Sequence, residues 1–209
     1  MHLSLTDLER LDKRNRSNFI NALSGVKSAN LIGTSNENKQ TNLSIVSSVV
    51  HLGSDPPLIG FIQRPTTVER HTYENIINTE NFTINAVNTE IVKQAHQTSA
   101  RYKKEQSEFD EVGLTPEWLN EFKAPFVLES FLKIGVELEE IIPISSNNTE
   151  LIVGKIQDVY LPSEIYNSDG SVSLDKISAV GINGLDTYLE VKKLVRLSYA
   201  KPNTPLKEI

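Results

Sequence analysis

The stretch "TNLSIVSSVVHLGSDPPLIGFI", residues 41–62, decides how this chain is read. Its first half threads Thr41, Asn42, Ser44, Ser47 and Ser48 through Leu43, Ile45, Val46, Val49 and Val50. Its second half breaks on Asp55-Pro56-Pro57, which removes two amide donors and forces an extended or turning backbone, and then becomes almost wholly apolar. A strand of β-branched and small hydroxyl residues packs one side into a core and offers backbone amides and short hydroxyls on the other. That surface suits a flat, hydrogen-bonding ligand laid against backbone. A Ser/Thr-rich edge strand without a ligand has the same pattern.

Outward from this stretch the chain reads as strands with short helices. "SNFINALSG" (17–25) is expected to be a helix stopped at Gly25, and "VKSANLIGTS" (26–35) a strand. The polar "NENK" (36–39) turns it into one long strand over 40–50, and "LIGFI" returns as a buried strand. "TYENIINTEN" is expected to be a helix with Thr72 as N-cap and Ile76 and Ile77 inward. In "FTINAV", Phe82, Ile84 and Ala86 alternate with Thr83 and Asn85. Residues 89–105 suggest an amphipathic helix whose basic end carries Lys103 and Lys104, and "TPEWLNEF" a helix with Thr115 as N-cap. Strands return in 126–142 and 150–161, with Glu137-Leu138-Glu139-Glu140 as an exposed, charged edge. "NSDGS" (167–171) is a loop, and the tail from Asp186 begins as a helix. No repeat, low-complexity run or linker divides the chain, so 1–209 is expected to be a single domain. The fold class is mainly β with peripheral helices, arranged as a barrel-like core with helices at its rim.

Composition removes several functions. A net charge of −6 argues against nucleic acid as partner, although a local pocket can still attract a small anion. With no cysteine there are no disulfides, thiolate metal sites or Cys nucleophile. The N-terminal residues lack an apolar leader and no run is long enough to span a bilayer, so a cytoplasmic protein without membrane partners is expected. His2, His51, His71 and His96 lack metal-ligand spacing, so no metal is assigned. Phosphate-binding Gly-rich loops and a nucleophile elbow are also missing.

One further cluster stands out. In "QRPTTVERHTYENI", Arg64, Arg70, His71 and Thr72 gather before a helix start, where free amides and the helix dipole favour an anion. A guanidinium with a hydroxyl and helix amides makes a phosphate clamp; a plain helix cap with surface arginines is the alternative.

Taken in order, these stretches resemble the flavin reductase-like family of FMN-binding split barrels. The matching pieces are Asp55-Pro56-Pro57-Leu58, then Arg70-His71-Thr72-Tyr73-Glu74-Asn75-Ile76, then Phe82-Thr83-Ile84-Asn85. "SEFDEVGLTP", "APFVLESFLKIGVELEEI" and "LIVGKIQDVYL" resemble its later half, so the likeness spans about residues 17–200. Pyridoxamine-phosphate oxidases share the barrel, but this order of motifs fits the flavin reductase branch better. The resemblance implies a split, six-stranded Greek-key barrel working as a homodimer, with FMN rather than FAD near the subunit interface. By the same resemblance Thr41, Asn42, Leu43 and Ser44 line the isoalloxazine ring through backbone amides. Ser47, Ser48 and Val49 continue toward the ribityl chain and phosphate. Arg64, Arg70, His71 and Thr72 hold the phosphate, and Asn75 either contacts the cofactor or closes the helix cap.

The implied activity is NAD(P)H-dependent flavin reduction by hydride transfer to flavin N5, with NAD(P)H as co-substrate and a monooxygenase as prospective recipient. The cofactors carry the electronics, so no catalytic acid or base is expected. An FMN-bound electron carrier and a non-catalytic dimeric split-barrel binding protein are the alternatives. The family's glycine-rich stretch is reduced here to "GINGLDTY", where Tyr188 is either a wall of the second-substrate site or a core residue.

Overall fold

The computed structural model describes all residues 1–209. Two helices lead the chain, α1 (Leu5–Arg10) and α2 (Lys13–Leu23). Helix α2 begins earlier than the sequence suggests because Asp12 caps it, accepting from the amides of Arg14 and Asn15. Gly25, with φ +76°, ends the turn that follows it.

After the short β1 (Lys27–Ser28) come β2 (Asn30–Ser35) and β3 (Thr41–Val46), an antiparallel hairpin in register from Asn30↔Val46 to Ser35↔Thr41. Asn36 Oδ1 accepts from the amides of Asn38 and Gln40, which makes the turn an Asx turn. The run expected as one strand over 40–50 is two: β3 stops at Val46, and β4 (Val50–Ser54) resumes after a break at 47–49. β5 (Pro57–Gln63) pairs back onto β4, with Asp55 and Pro56 in the turn. Helix α3 (His71–Thr79) and β6 (Asn81–Ala86) follow, then α4 (Val92–Gln97) and α5 (Glu108–Val112). β7 (Pro116–Glu117) and β8 (Phe126–Val127) make a two-stranded ribbon. The long hairpin β9 (Lys133–Ile144) and β10 (Thr149–Tyr160) precedes two short 3-10 turns, and β11 (Val180–Asn183) and β12 (Thr187–Glu190) close the regular structure.

The main sheet has the order β3-β2-β6-β9-β10-β5-β4. Its two edge strands, β3 and β4, are successive halves of one bent run, so the sheet curls round and its ends meet at residues 47–49. Counting that run once gives a six-stranded barrel, split at the bend. Ser48 bridges the split: its Oγ accepts from the Ile62 amide at 3.0 Å, beyond the last backbone pair, Val50↔Gly60. Inside the barrel, Ile32, Phe61, Ile76, Phe82, Ile84, Val136 and Ile152 form one core, with Phe61 edge-on to Phe82 at 5.7 Å. Adjacent residues of a strand face opposite ways, so Leu31 and Leu43 enter a second core with Phe109, Val127, Val180 and Ile182. Both faces of β2 are therefore buried.

Several local expectations give way to tertiary contacts. Residues 115–122 are not helical. The Thr115 amide donates to the Glu129 carboxylate and Pro116 pairs with Val127, because Phe126 and Val127 are buried in the core. The helix expected across 89–105 is only α4, since the Thr98 hydroxyl donates to the Ala95 carbonyl and ends it. Lys103 and Lys104 follow in loop and turn. The tail begins as β12, turned back on β11 through Gly184 at φ +66°, not as a helix. Ile76 is fully buried as expected, whereas Ile77 faces solvent. Glu137 lies between Asn81 and Lys155 within the sheet, and β9 pairs with β10 alone beyond it.

Candidate functional site

The polar residues of 41–48 are nearly all bonded within the chain. Asn42 Nδ2 donates to Thr72 Oγ1 at 2.8 Å, and the hydroxyls of Ser44 and Thr72 meet at 2.9 Å. The Thr41 and Ser107 hydroxyls meet at 2.6 Å, and Ser48 serves the Ile62 amide. The hydroxyl-rich writing of this strand thus has a structural cause: it ties β3 to α3 and α5, and closes the barrel bend. The backbone of β3 is engaged too. Its free edge would expose the Leu43 and Ile45 amides, but Glu108 Oε2 accepts the first and Thr98 Oγ1 the second, each at 3.0 Å. In this arrangement the Leu43 amide, read as a ring contact, has a carboxylate partner. Glu108 is almost fully buried. Burial pushes its carboxyl above the ordinary value, against the opposing pull of the Leu43 amide and of nearby His71.

Thr72 is not the cap of α3. That position belongs to Arg70, which makes no capping side-chain bond, while the Thr72 hydroxyl is spent on Asn42 and Ser44. The helix therefore presents first-turn amides without a side-chain cap. Beside them His71 Nε2 is buried with no hydrogen-bond partner, its nearest carboxylate being Glu69 at 3.8 Å. Arg64 is exposed and Arg70 half-buried; neither pairs with a carboxylate, and Arg70 Nε only reaches the Pro65 carbonyl at 3.4 Å. Burial, then the like charges of Arg64 and Arg101, hold the Arg70 guanidinium below its usual pKa. Uncapped amides, an orphaned imidazole nitrogen and unpaired guanidiniums make a place for an anion, and a phosphate monoester fits that donor set.

Four residues taken from the sequence, Asn42, Ser44, Thr72 and Arg70, thus come together around the start of α3. Ser47 and Val49 lie at the barrel bend, Val49 packed on the inner core. Asn75 closes no cap: its Nδ2 donates to Thr34 Oγ1 at 3.1 Å, which fastens α3 to β2. Asn85, from the same family pattern, accepts from the Val127 amide and donates to the Leu31 carbonyl, holding β8 against the barrel. Tyr188 on β12 packs against the outer core, and its hydroxyl meets His96 Nδ1 at 3.0 Å with the rings edge-on. Thr98 and Arg101 had no signal beyond ordinary polar residues in a charged run, and Glu108 lies in the family-like "SEFDEVGLTP" without a role assigned to it.

Barrel, bend and the uncapped start of α3 together define a split-barrel protein with a candidate anion site. The chain belongs to the flavin reductase like domain family, which matches residues 23–173. It is similar, at 54% identity and a TM-score of 0.93, to a proposed flavin reductase with a split barrel domain from Shewanella frigidimarina NCIMB 400, over 96% of this chain and 100% of that one. Nitrilotriacetate monooxygenase component B from Bacillus cereus shares the fold at 18% identity and TM-score 0.82, covering 94% and 99% of the two chains. So does the FMN-binding protein from Thermus thermophilus with bound 1-cyclohex-2-enone, at 17% identity and TM-score 0.68, covering 84% and 90%.

Proposed function

We propose that this chain binds FMN along β3, with the phosphate at the start of α3, and reduces it with NAD(P)H as a homodimer. The observation that carries the reading is the uncapped first turn of α3, where buried His71 Nε2 lacks a partner beside Arg64 and Arg70. A phosphate satisfies all of these donors at once, and flavin is the phosphorylated ligand that suits a flavin reductase like domain. When bound, the flavin supplies the redox chemistry through its own ring.

The residues of the chain bind and orient. Arg64, Arg70 and His71 hold the anionic end. Thr72, fixed by Asn42 and Ser44, sets the position of the helix start against β3. β3 is held rigid beside the site because the Leu43 and Ile45 amides are already tied to Glu108 and Thr98. No side-chain acid or base is required.

A homodimer is supported by large exposed apolar side chains on three elements: Phe19, Ile20 and Leu23 on α2, Val50 and Leu52 on β4, and Leu194, Tyr199 and Leu206 in the tail. No helix is long and apolar enough to cross a membrane, and a cytoplasmic setting, where reduced nicotinamide is at hand, suits the activity. The likeness to a monooxygenase component makes an oxygenase a fitting recipient of the reduced flavin.

Purification followed by anaerobic titration with NADH and NADPH in the presence of FMN tests the proposal. Bleaching of the flavin absorbance by catalytic amounts of protein is expected. A protein that binds FMN without speeding its reduction is an electron carrier instead; one that binds no flavin ends the reading.

A further inference from the structure

A segment that lacks regular structure for most of its length runs along the free edge of β3. Between Thr98 and Glu108 the chain is fastened to that edge and its turn at four points. Thr98 accepts the Ile45 amide, the Lys104 carbonyl accepts from Gln40 Nε2 at 2.6 Å, Ser107 meets Thr41, and Glu108 accepts the Leu43 amide. A fifth tie crosses to α3, where Lys104 Nζ donates to Glu74 Oε2 at 2.6 Å. This strap therefore spans β3 and α3, the two elements that frame the anion site. Arg101 lies between its first two fastenings.

Arg101 is exposed and has no carboxylate partner, like Arg64 and Arg70. Lack of a partner does not by itself set it apart, since Arg196 alone among the arginines meets a carboxylate; its place on the strap does. Of the carboxylates around the strap, Glu74 is held by Lys104 and Glu108 by the Leu43 amide, Glu69 faces His71, and the charge of Glu105 is felt at Lys104. The charges of Arg64 and Arg101 are both felt at Arg70, so an anion placed beside Arg70 would relieve both repulsions.

Resting on the flavin reading above, we infer that Arg101 is a third cation of the phosphate site, delivered by the strap, and that it sets the preference for phosphorylated flavin over riboflavin. The strap gives the residue its place: an arginine on a chain fastened at Thr98 and Lys104 loses less freedom when it grips a phosphate than one on a loose loop. Its fork matches phosphate oxygens in pairs, which an ammonium does not.

Titration of wild-type protein, Arg101→Ala and Arg101→Lys with FMN and with riboflavin, read by flavin fluorescence, tests this. Arg101→Ala is expected to lose roughly tenfold in FMN affinity and nothing in riboflavin affinity, the loss of one charge-assisted contact. Arg101→Lys recovers part of the FMN affinity, because the charge stays and the fork goes. An unchanged FMN preference in Arg101→Ala overturns the inference. Equal losses for both ligands overturn it too, since they report a damaged strap and not a missing phosphate contact. Wild-type protein that binds neither flavin sinks the function itself, an outcome separate from these. Arg101 makes no intramolecular bond, so both variants are expected to unfold at the wild-type temperature.

Discussion

The side-chain amide of Asn42 donates to Thr72 Oγ1 across 2.8 Å, joining the barrel's edge strand to the first turn of α3. Ser44 adds a second bond to the same hydroxyl. Thr72 is thus a hub, and both groups it serves depend on it. Thr72→Val keeps the shape and removes the oxygen. The expected cost is about 1–3 kcal/mol of stability, because a buried amide loses its partner. Urea denaturation measures it, and an unchanged midpoint contradicts the hub.

Arg70 stands at the cap position and leans on nothing stronger than the Pro65 carbonyl. Arg70→Ala is expected to cost FMN about 1.5–3 kcal/mol of binding energy, the range for a hydrogen bond to a charged group. Riboflavin binding stays as it was. Isothermal titration with both flavins reads the difference directly; equal binding of FMN by variant and wild type removes Arg70 from the site.

Glu108 makes a prediction about pH. Its carboxyl is raised above the ordinary 4.5 by burial, so the folded protein holds a proton that the unfolded chain has already released. Where the native state binds more protons, stability falls as pH rises. The fall begins near the unfolded value and ends above the folded one. Glu108→Gln keeps an oxygen for the Leu43 amide and cannot ionise. Its stability relative to wild type is therefore expected to improve as pH climbs upward from about 4.5. Denaturation curves of both proteins across that interval check the sign, and a gap that moves the other way refutes the assignment.

Ser48 carries the hydroxyl that stands in for backbone at the barrel's split. Ser48→Ala leaves the Ile62 amide without its acceptor, for an expected loss of about 1–2 kcal/mol. Hydrogen exchange adds a local readout: protection at Ile62 should fall while protection at Gly60, paired with Val50, holds. Unaltered exchange at Ile62 argues that the bend is closed by something else.

How much of this was legible in the chain differs from element to element. The β2–β3 hairpin and its polar turn follow from period-two patterning and Asx chemistry, both local properties. Residues 115–122 were not legible, because Thr-Pro followed by polar residues is a good helix start wherever nothing competes. Here Phe126 and Val127 must be buried, and their pairing draws Pro116 and Glu117 into a strand. Within the site, Arg70, His71 and Thr72 stood out because three chemically useful side chains are adjacent in sequence. Arg101 and Glu108 did not, since Glu108 meets the Leu43 amide from 65 residues away and the charge of Arg101 is felt at Arg70 only in the folded chain.

The sequence alone determined that an apolar, β-branched framework would form a barrel with helices at its rim, because side-chain periodicity and proline positions act over a few residues. It also marked the start of α3, with Arg70, His71 and Thr72, as the candidate anion site. The tertiary structure decided what the hydroxyls of 41–48 do: they meet Thr72, Ser107 and Ile62, groups brought to them only when the sheet curls and its edges join. A hydroxyl has the same donor and acceptor whether it faces a ligand or a neighbouring strand, so its partner is fixed by the fold and not by the residue.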